Sequence, residues 1–308
     1  MSEHLSSAPH TFSGGFLSAG IWPLIRHGHR PLTGTRRMVA SVDGHRVVWL
    51  ERGHATPERP TIVMVHGFAA MKENWAYWLR MLPSDWHLIA IDLPGFGETT
   101  YRAGMDYSYE AQAGRLLTWL NQRGWENVHL VGSSMGGAIV TIAGARAPER
   151  IASVSVLNSA GVPAQRPSAL DRMLDQGEYG LVPRRWKEVW RMFTMVGTGG
   201  PSLTGAAMAL TLGPDLLRRQ QAHSHIFRDM LRDRDAVARY LPDYPVPLLV
   251  LWGDRDHLTE VSCVDTYRQL APAPKIEVFK GVGHLPMLEI PRRSARALET
   301  FIREQTKG

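Results

Sequence analysis

Apolar residues in this chain gather in short runs, at 47–50, 61–65, 87–91, 128–131, 154–157, 248–251 and 276–279, with at most one polar residue in each. Each run is too short for a helix and rich in Val, Ile or Leu, the pattern of a strand buried on both faces of a sheet. An Asp43-Gly44 pair before the first run marks a turn. Between the runs, apolar positions recur with helical spacing at 109–122, 262–270 and 293–302. The segment 138–145 is small and apolar throughout, which predicts a helix packed tightly against the sheet. This alternation predicts an open, mostly parallel α/β sheet flanked by helices. It fails from 161 to 244, where Leu, Met and Arg are frequent and strand-like runs are missing. That interval predicts a helical cap inserted between two strands of one sheet. The chain then divides into an N-terminal extension (1–38), a core (39–160 and 245–308) and the cap (161–244).

Composition narrows the class without changing this picture. A chain of 308 residues, 44% hydrophobic and 21% charged, can bury a large core and is too apolar for disorder. Cys263 is the single cysteine, so a disulfide scaffold and a cysteine-built zinc site are excluded. No apolar run reaches the 18 residues or more that a bilayer-spanning helix needs. The net charge of +6 invites nucleic acid as a partner, but the charges are interleaved. Arg184, Arg185 and Lys187 adjoin Glu188, and Arg232 and Arg234 alternate with Asp233 and Asp235, the pattern of a solvated helix face. Nucleic acid is therefore not the expected partner. One basic stretch, 26–37, lacks acids and follows the apolar residues Phe12, Phe16, Leu17, Ile21, Trp22, Leu24 and Ile25. Residues 12–37 are expected to pack on the domain or to make a peripheral contact with an anionic membrane. The first ten residues lack the basic start of a secretory signal, so the expected location is cytoplasmic, with or without membrane association.

The chemistry concentrates in three loops that follow strands. Val128-His129-Leu130-Val131-Gly132-Ser133-Ser134-Met135-Gly136-Gly137 reads as strand, G-x-S-x-G, helix. A serine on so sharp a turn has a strained backbone and an exposed hydroxyl, and its neighbours two positions away must be small. Ser134 is the central residue and candidate nucleophile; Ser133 falls out of register. A serine hydroxyl needs a base, and this motif expects an acid and then a histidine further along. Trp252-Gly253-Asp254-Arg255-Asp256 follows one strand, and Gly281-Val282-Gly283-His284 follows the next. Asp254 and Asp256 compete for the acid role, with spacing from the Trp-Gly turn favouring Asp256. His284 is the candidate base. Negative charge on a tetrahedral intermediate calls for two backbone N–H donors. Met135 supplies one, and Phe68, in the loop Val65-His66-Gly67-Phe68, supplies the other. His66 is expected to shape that loop through hydrogen bonds rather than to act as a base.

These segments, with His66-Gly67-Phe68-Ala69-Ala70-Met71-Lys72-Glu73-Asn74-Trp75, Asp92-Leu93-Pro94-Gly95-Phe96-Gly97-Glu98-Thr99 and Gly283-His284-Leu285-Pro286-Met287-Leu288-Glu289-Ile290-Pro291, resemble those of α/β-hydrolases. Within that superfamily the likeness is to bacterial lipases and esterases of the monoacylglycerol-lipase-like branch, over about 39–302. The resemblance implies hydrolysis of a small-molecule or lipid ester by a serine triad, with no metal and no organic cofactor. Carbon–carbon bond hydrolases use the same triad and are the alternative enzyme; a non-catalytic ligand receptor is the alternative of another class. Cys263 is expected to be structural. The spacing of His223 and His225 suits a metal pair but lacks a third ligand. The 92–99 segment reads as a turn beside the site rather than a phosphate loop.

Overall fold

Residues 31–200 and 202–306 are described by a computed structural model. They form an eight-stranded sheet in the order β1-β2-β4-β3-β5-β6-β7-β8. The hairpin of β1 (Arg36–Val42) and β2 (His45–Arg52) is antiparallel and joins β4 (His87–Asp92) in antiparallel fashion. All other pairings are parallel, through β3 (Thr61–Val65), β5 (Val128–Ser133), β6 (Ile151–Leu157), β7 (Leu248–Gly253) and β8 (Lys275–Phe279).

Flanking this sheet are α1 (Ala76–Met81), α2 (Tyr109–Arg123) and α3 (Met135–Arg146), and, near the C-terminus, α8 (Cys263–Leu270), α9 (Pro286–Glu289) and α10 (Pro291–Gln305). Alternate residues of each strand serve opposite faces. Ile62 and Met64 of β3 join a core with Trp78 of α1 and Leu298 of α10, whereas Val63 and Val65 pack with Leu116 of α2 and Ile139 of α3. Every residue of β3, β4, β5 and β7 is buried, which is why they appear in the sequence as mostly apolar runs. The α/β-hydrolase architecture expected from the sequence is therefore the one observed.

The first strand departs from expectation. β1 begins at Arg36, inside the stretch assigned to the extension. As an edge strand with exposed positions it has no continuous apolar run, so no strand signal marks it. It pairs through a two-residue turn in which Asp43 and Gly44 both have positive φ, the geometry that lets a hairpin follow the sheet's twist. Arg37 lies 3.0 Å from Glu98 and Arg36 lies 3.9 Å from Glu51, so the basic end of 26–37 finds acids in the folded core. The rest of the 12–37 expectation, residues 12–30, lies outside the described residues.

Between β6 and β7 the chain forms α4 (Ala169–Asp175), α5 (Trp186–Val196), α6 (Leu203–Arg218), α7 (Gln220–Leu231) and a 3-10 helix at Ala236–Tyr240. Ser168 and Asp171 close a reciprocal capping box at the start of α4. Val189, Met192 and Phe193 of α5 bury against Ala209 and Leu216 of α6 in a small core of their own. Trp186 and Trp190 belong to no buried cluster of the described residues and are 43% and 42% exposed.

Candidate active site

Ser134 stands between the end of β5 and the first turn of α3 with φ 54° and ψ −119°, a conformation costly for a residue with a side chain. Backbone crowding makes the turn dependent on its glycines. A Cβ at Gly132 would lie 2.2 Å from the Gly136 carbonyl oxygen, and one at Gly136 would lie 2.3 Å from that of Val65. Ser133 is buried, and its hydroxyl has no partner among the described residues. Ser134 instead opens into cavities.

His284 follows β8 and holds Nδ1 2.7 Å from Asp256 Oδ2. The carboxylate can only accept, so the proton sits on Nδ1 and Nε2 keeps a free lone pair. Asp256 is also bound by Asn158 Nδ2 at 2.5 Å, Thr259 Oγ1 at 2.6 Å and the Leu258 and Thr259 amides at 2.7 and 3.1 Å. Burial alone would raise the pKa of this carboxyl. The His284 imidazole and the donated hydrogen bonds outweigh burial and hold it below the ordinary carboxylate value. Asp254 is exposed and accepts from the Gly281 amide at 2.6 Å, where it pins a turn. Ser134 Oγ makes no hydrogen bond to a described residue, although Ser134 and His284 line the same narrow cavity.

Among the described residues neither the Phe68 nor the Met135 N–H has an acceptor. Met135 opens α3, where unsatisfied donors and the helix dipole favour negative charge. Gly67 places the Phe68 loop against Ser134: a Cβ there would lie 3.0 Å from Ser134 Cβ. His66 is wholly buried. Its Nε2 accepts from the Leu93 amide at 3.1 Å, so Nδ1 donates to the Gly67 carbonyl at 2.7 Å, and burial depresses its pKa. Such a histidine braces the loop and has no lone pair to offer a substrate.

Two supports have no role assigned to them from the sequence. Asn158, at the end of β6 with φ 46°, donates to Asp256 and accepts from the Gly253 amide at 3.3 Å. Its only local cue is its position at the carboxyl end of a strand. Beneath the Phe68 loop, Lys72 Nζ lies 2.7 Å from Asp92 and 2.8 Å from Glu98, joining the 66–75 and 92–99 segments. Asp92 also accepts from the Lys72 and Glu98 amides at 2.8 Å each. Burial opposes its ionisation, but Lys72 and these bonds keep its pKa low.

Two cavities meet at Ser134. The wide one, 430 Å³, has apolar walls that include Leu170, Leu174, Phe227 and Met230, with Arg166 and Glu260 among its polar residues. The narrow one, 60 Å³, is walled by Met192, Phe193, Val196, Met208 and Leu212 together with His284. Met173 and Met195 pack on Leu258 instead. Cys263 is buried in the wall of the wide cavity with its thiol pKa raised by burial. His223 and His225 diverge: the first stacks on Phe96, and the second meets the Tyr101 hydroxyl at 2.8 Å.

Residues 60–291 match the alpha/beta hydrolase fold family. The chain belongs to that family. It is 29% identical to Lipase 1 of Psychrobacter immobilis over 261 residues, covering 84% of this chain and 81% of the lipase. It is 26% identical to monoacylglycerol lipase ABHD6 of Bos taurus, covering 79% and 75%. Among solved structures, a membrane phospholipase A described as a bacterial virulence factor superposes with a TM-score of 0.88 at 31% identity, covering 96% and 94%. A 2-hydroxy-6-oxo-6-phenylhexa-2,4-dienoate hydrolase from Rhodococcus sp. strain RHA1 (TM-score 0.75, 20% identity, covering 87% and 99%) shares the fold alone. By these relationships this α/β-hydrolase is a carboxylic ester hydrolase.

Proposed function

We propose that the protein cleaves acylglycerols or medium-chain acyl esters through an acyl-enzyme formed on Ser134. His284 Nε2 takes the hydroxyl proton as Ser134 Oγ bonds to the ester carbonyl carbon, and Asp256 stabilises the imidazolium. The Phe68 and Met135 amides receive the oxyanion. The carbon–oxygen bond then breaks, and His284 passes the proton to the leaving alcohol. Water repeats the sequence and frees the acid and Ser134. No metal or organic cofactor enters any step.

The observation that carries this reading is the buried Asp256–His284 bond beside a positive-φ serine flanked by two unused amides. The proton transfer also orients the substrate. Of the two cavities His284 lines the narrow one, so the leaving alcohol belongs on that side and the acyl chain in the wide one. Labelling by a fluorophosphonate, and its loss in Ser134→Ala, tests the nucleophile. Rates on a panel of p-nitrophenyl esters and acylglycerols test the substrate class. A chain that labels but cleaves only carbon–carbon bonds would favour the alternative hydrolase, and one that does not label would favour a receptor.

No helix among the described residues is long and apolar enough to cross a membrane. A cytoplasmic protein with a peripheral contact through residues 12–37 completes the proposal. Equal liposome sedimentation of the full chain and a chain beginning at residue 31, which keeps β1 whole, would count against that contact.

A further inference from the structure

The two cap helices that wall the narrow cavity have a second, outward face. On α6, Leu203, Ala207, Leu210 and Pro214 share one side at helical spacing, with Leu203 92% and Leu210 61% exposed. The neighbouring α5 runs antiparallel to it. The Trp186 ring lies over Gly213, where a Cβ would come within 2.7 Å, and the Phe193 carbonyl faces Gly205. Trp186 and Trp190, one turn apart, extend the same ridge. No Asp, Glu, Lys or Arg occurs from 192 to 214. A surface helix normally turns charge to solvent, and a contiguous apolar face marks an interaction site.

Charge lies along the α5 border. Arg184, Arg185, Lys187 and Arg191 are all exposed. Arg185 pairs with Glu188 and Arg191 with Glu178, while Arg184 and Lys187 form no ion pair with a described residue. Leucines at the crest, tryptophans beside them and a basic margin match the boundary between lipid headgroups and acyl chains. Two copies of the chain packed through this ridge would bring two basic margins together, which disfavours self-association.

We propose that this ridge docks on an anionic phospholipid surface. Leu203 and Leu210 enter the headgroup–acyl boundary, Trp186 and Trp190 sit at headgroup depth, and Arg184 and Lys187 meet lipid phosphates. The inward faces of these helices carry Met192, Phe193, Met208 and Leu212, so docking leaves the Ser134 cavity about one helix diameter, roughly 10 Å, from the lipid. The inference takes its biological purpose from the lipid-ester reading, but its physics is independent of turnover.

The test is a local probe in the full chain. Cys263 is buried and is the only native cysteine, so Leu203→Cys can be labelled selectively with an environment-sensitive fluorophore. The carrier is Ser134→Ala, which leaves vesicle lipids intact. With vesicles containing phosphatidylglycerol, the emission should shift to the blue. With pure phosphatidylcholine it should not, and a label at Leu270→Cys should stay unchanged. Arg184→Glu with Lys187→Glu should weaken the apparent partition constant by on the order of tenfold or more. Three results would overturn the proposal. One is co-sedimentation without a shift at position 203, which puts attachment elsewhere. Another is an equal shift on neutral vesicles. The third is a shift without vesicles that grows with protein concentration, the mark of a second copy. Fluorophosphonate labelling of the Ser134 protein is scored separately, so failure of the esterase reading and failure of docking are distinguishable.

Discussion

Changing Asp256 to Asn alters one atom and should nearly abolish activity. Oδ2 accepts from His284, Asn158 and Thr259, all within 2.7 Å. An amide NH₂ in that place faces three donors at once. If it turns toward His284, the ring must accept at Nδ1, which moves the proton to Nε2 and leaves no base for Ser134. By analogy with the serine-protease triad, that tautomer error costs about 10⁴ in kcat, or about 5.5 kcal/mol in the barrier. If the amide turns the other way, its oxygen restores the His284 contact but its NH₂ meets the two backbone donors that Oδ1 now satisfies. Neither orientation serves every neighbour. Asp254→Asn is the internal control: this exposed residue needs only an acceptor for the Gly281 amide, and the new side chain retains one. Its kcat/KM should stay within about threefold of the parent, in keeping with a surface substitution. The assay is kcat/KM on p-nitrophenyl butyrate, with circular dichroism to confirm folding. A folded Asp256→Asn protein more active than Asp254→Asn would refute the acid assignment.

Further expectations follow from the same geometry. Ser134→Ala should lower turnover by on the order of 10⁶, whereas Ser133→Ala, which removes a hydroxyl with no partner among the described residues, should cost far less; equal losses would contradict the register. Activity on esters of increasing acyl length should climb about fourfold per methylene until the wide cavity fills. Leu174→Trp should cut that climb short and Met208→Trp should change alcohol preference instead; the opposite assignment of effects would exchange the two cavities. Burial lowers the pKa of His129 to about 4 and of His223 to about 3, so the folded chain refuses protons that the unfolded chain accepts below about 6.5. Stability contributed by the neutral rings is complete above that pH and falls as pH drops towards 4, by about 2 kcal/mol for each histidine at pH 5. Urea midpoints at pH 7.5 and 5 measure this, and identical values would show that neither ring is held neutral.

Local pattern was enough for much of this protein. Strands with every residue buried announced themselves as mostly apolar runs, because a polar side chain in a sheet covered on both faces needs a buried partner, as His129 finds in Ser153. The turn around Ser134 was legible because its steric demand falls on residues two positions away, and its backbone strain is set by the immediate chain. The loops that hold Ser134, Asp256 and His284 were legible too, since each follows a strand. What stayed hidden depends on residues distant in sequence. β1 is a strand only because β2 pairs with it. Asn158 matters because β6 ends beside β7, which puts its amide on Asp256. Lys72 and Asp92 are ordinary charged residues until the ends of β3 and β4 converge and exclude water around them. Trp186 and Leu174 look alike in the cap sequence, yet one faces solvent and the other lines the Ser134 cavity. A hydrophobic residue states that it resists water. Only the packing of α4, α5 and α6 against the core decides which of them are withdrawn from it.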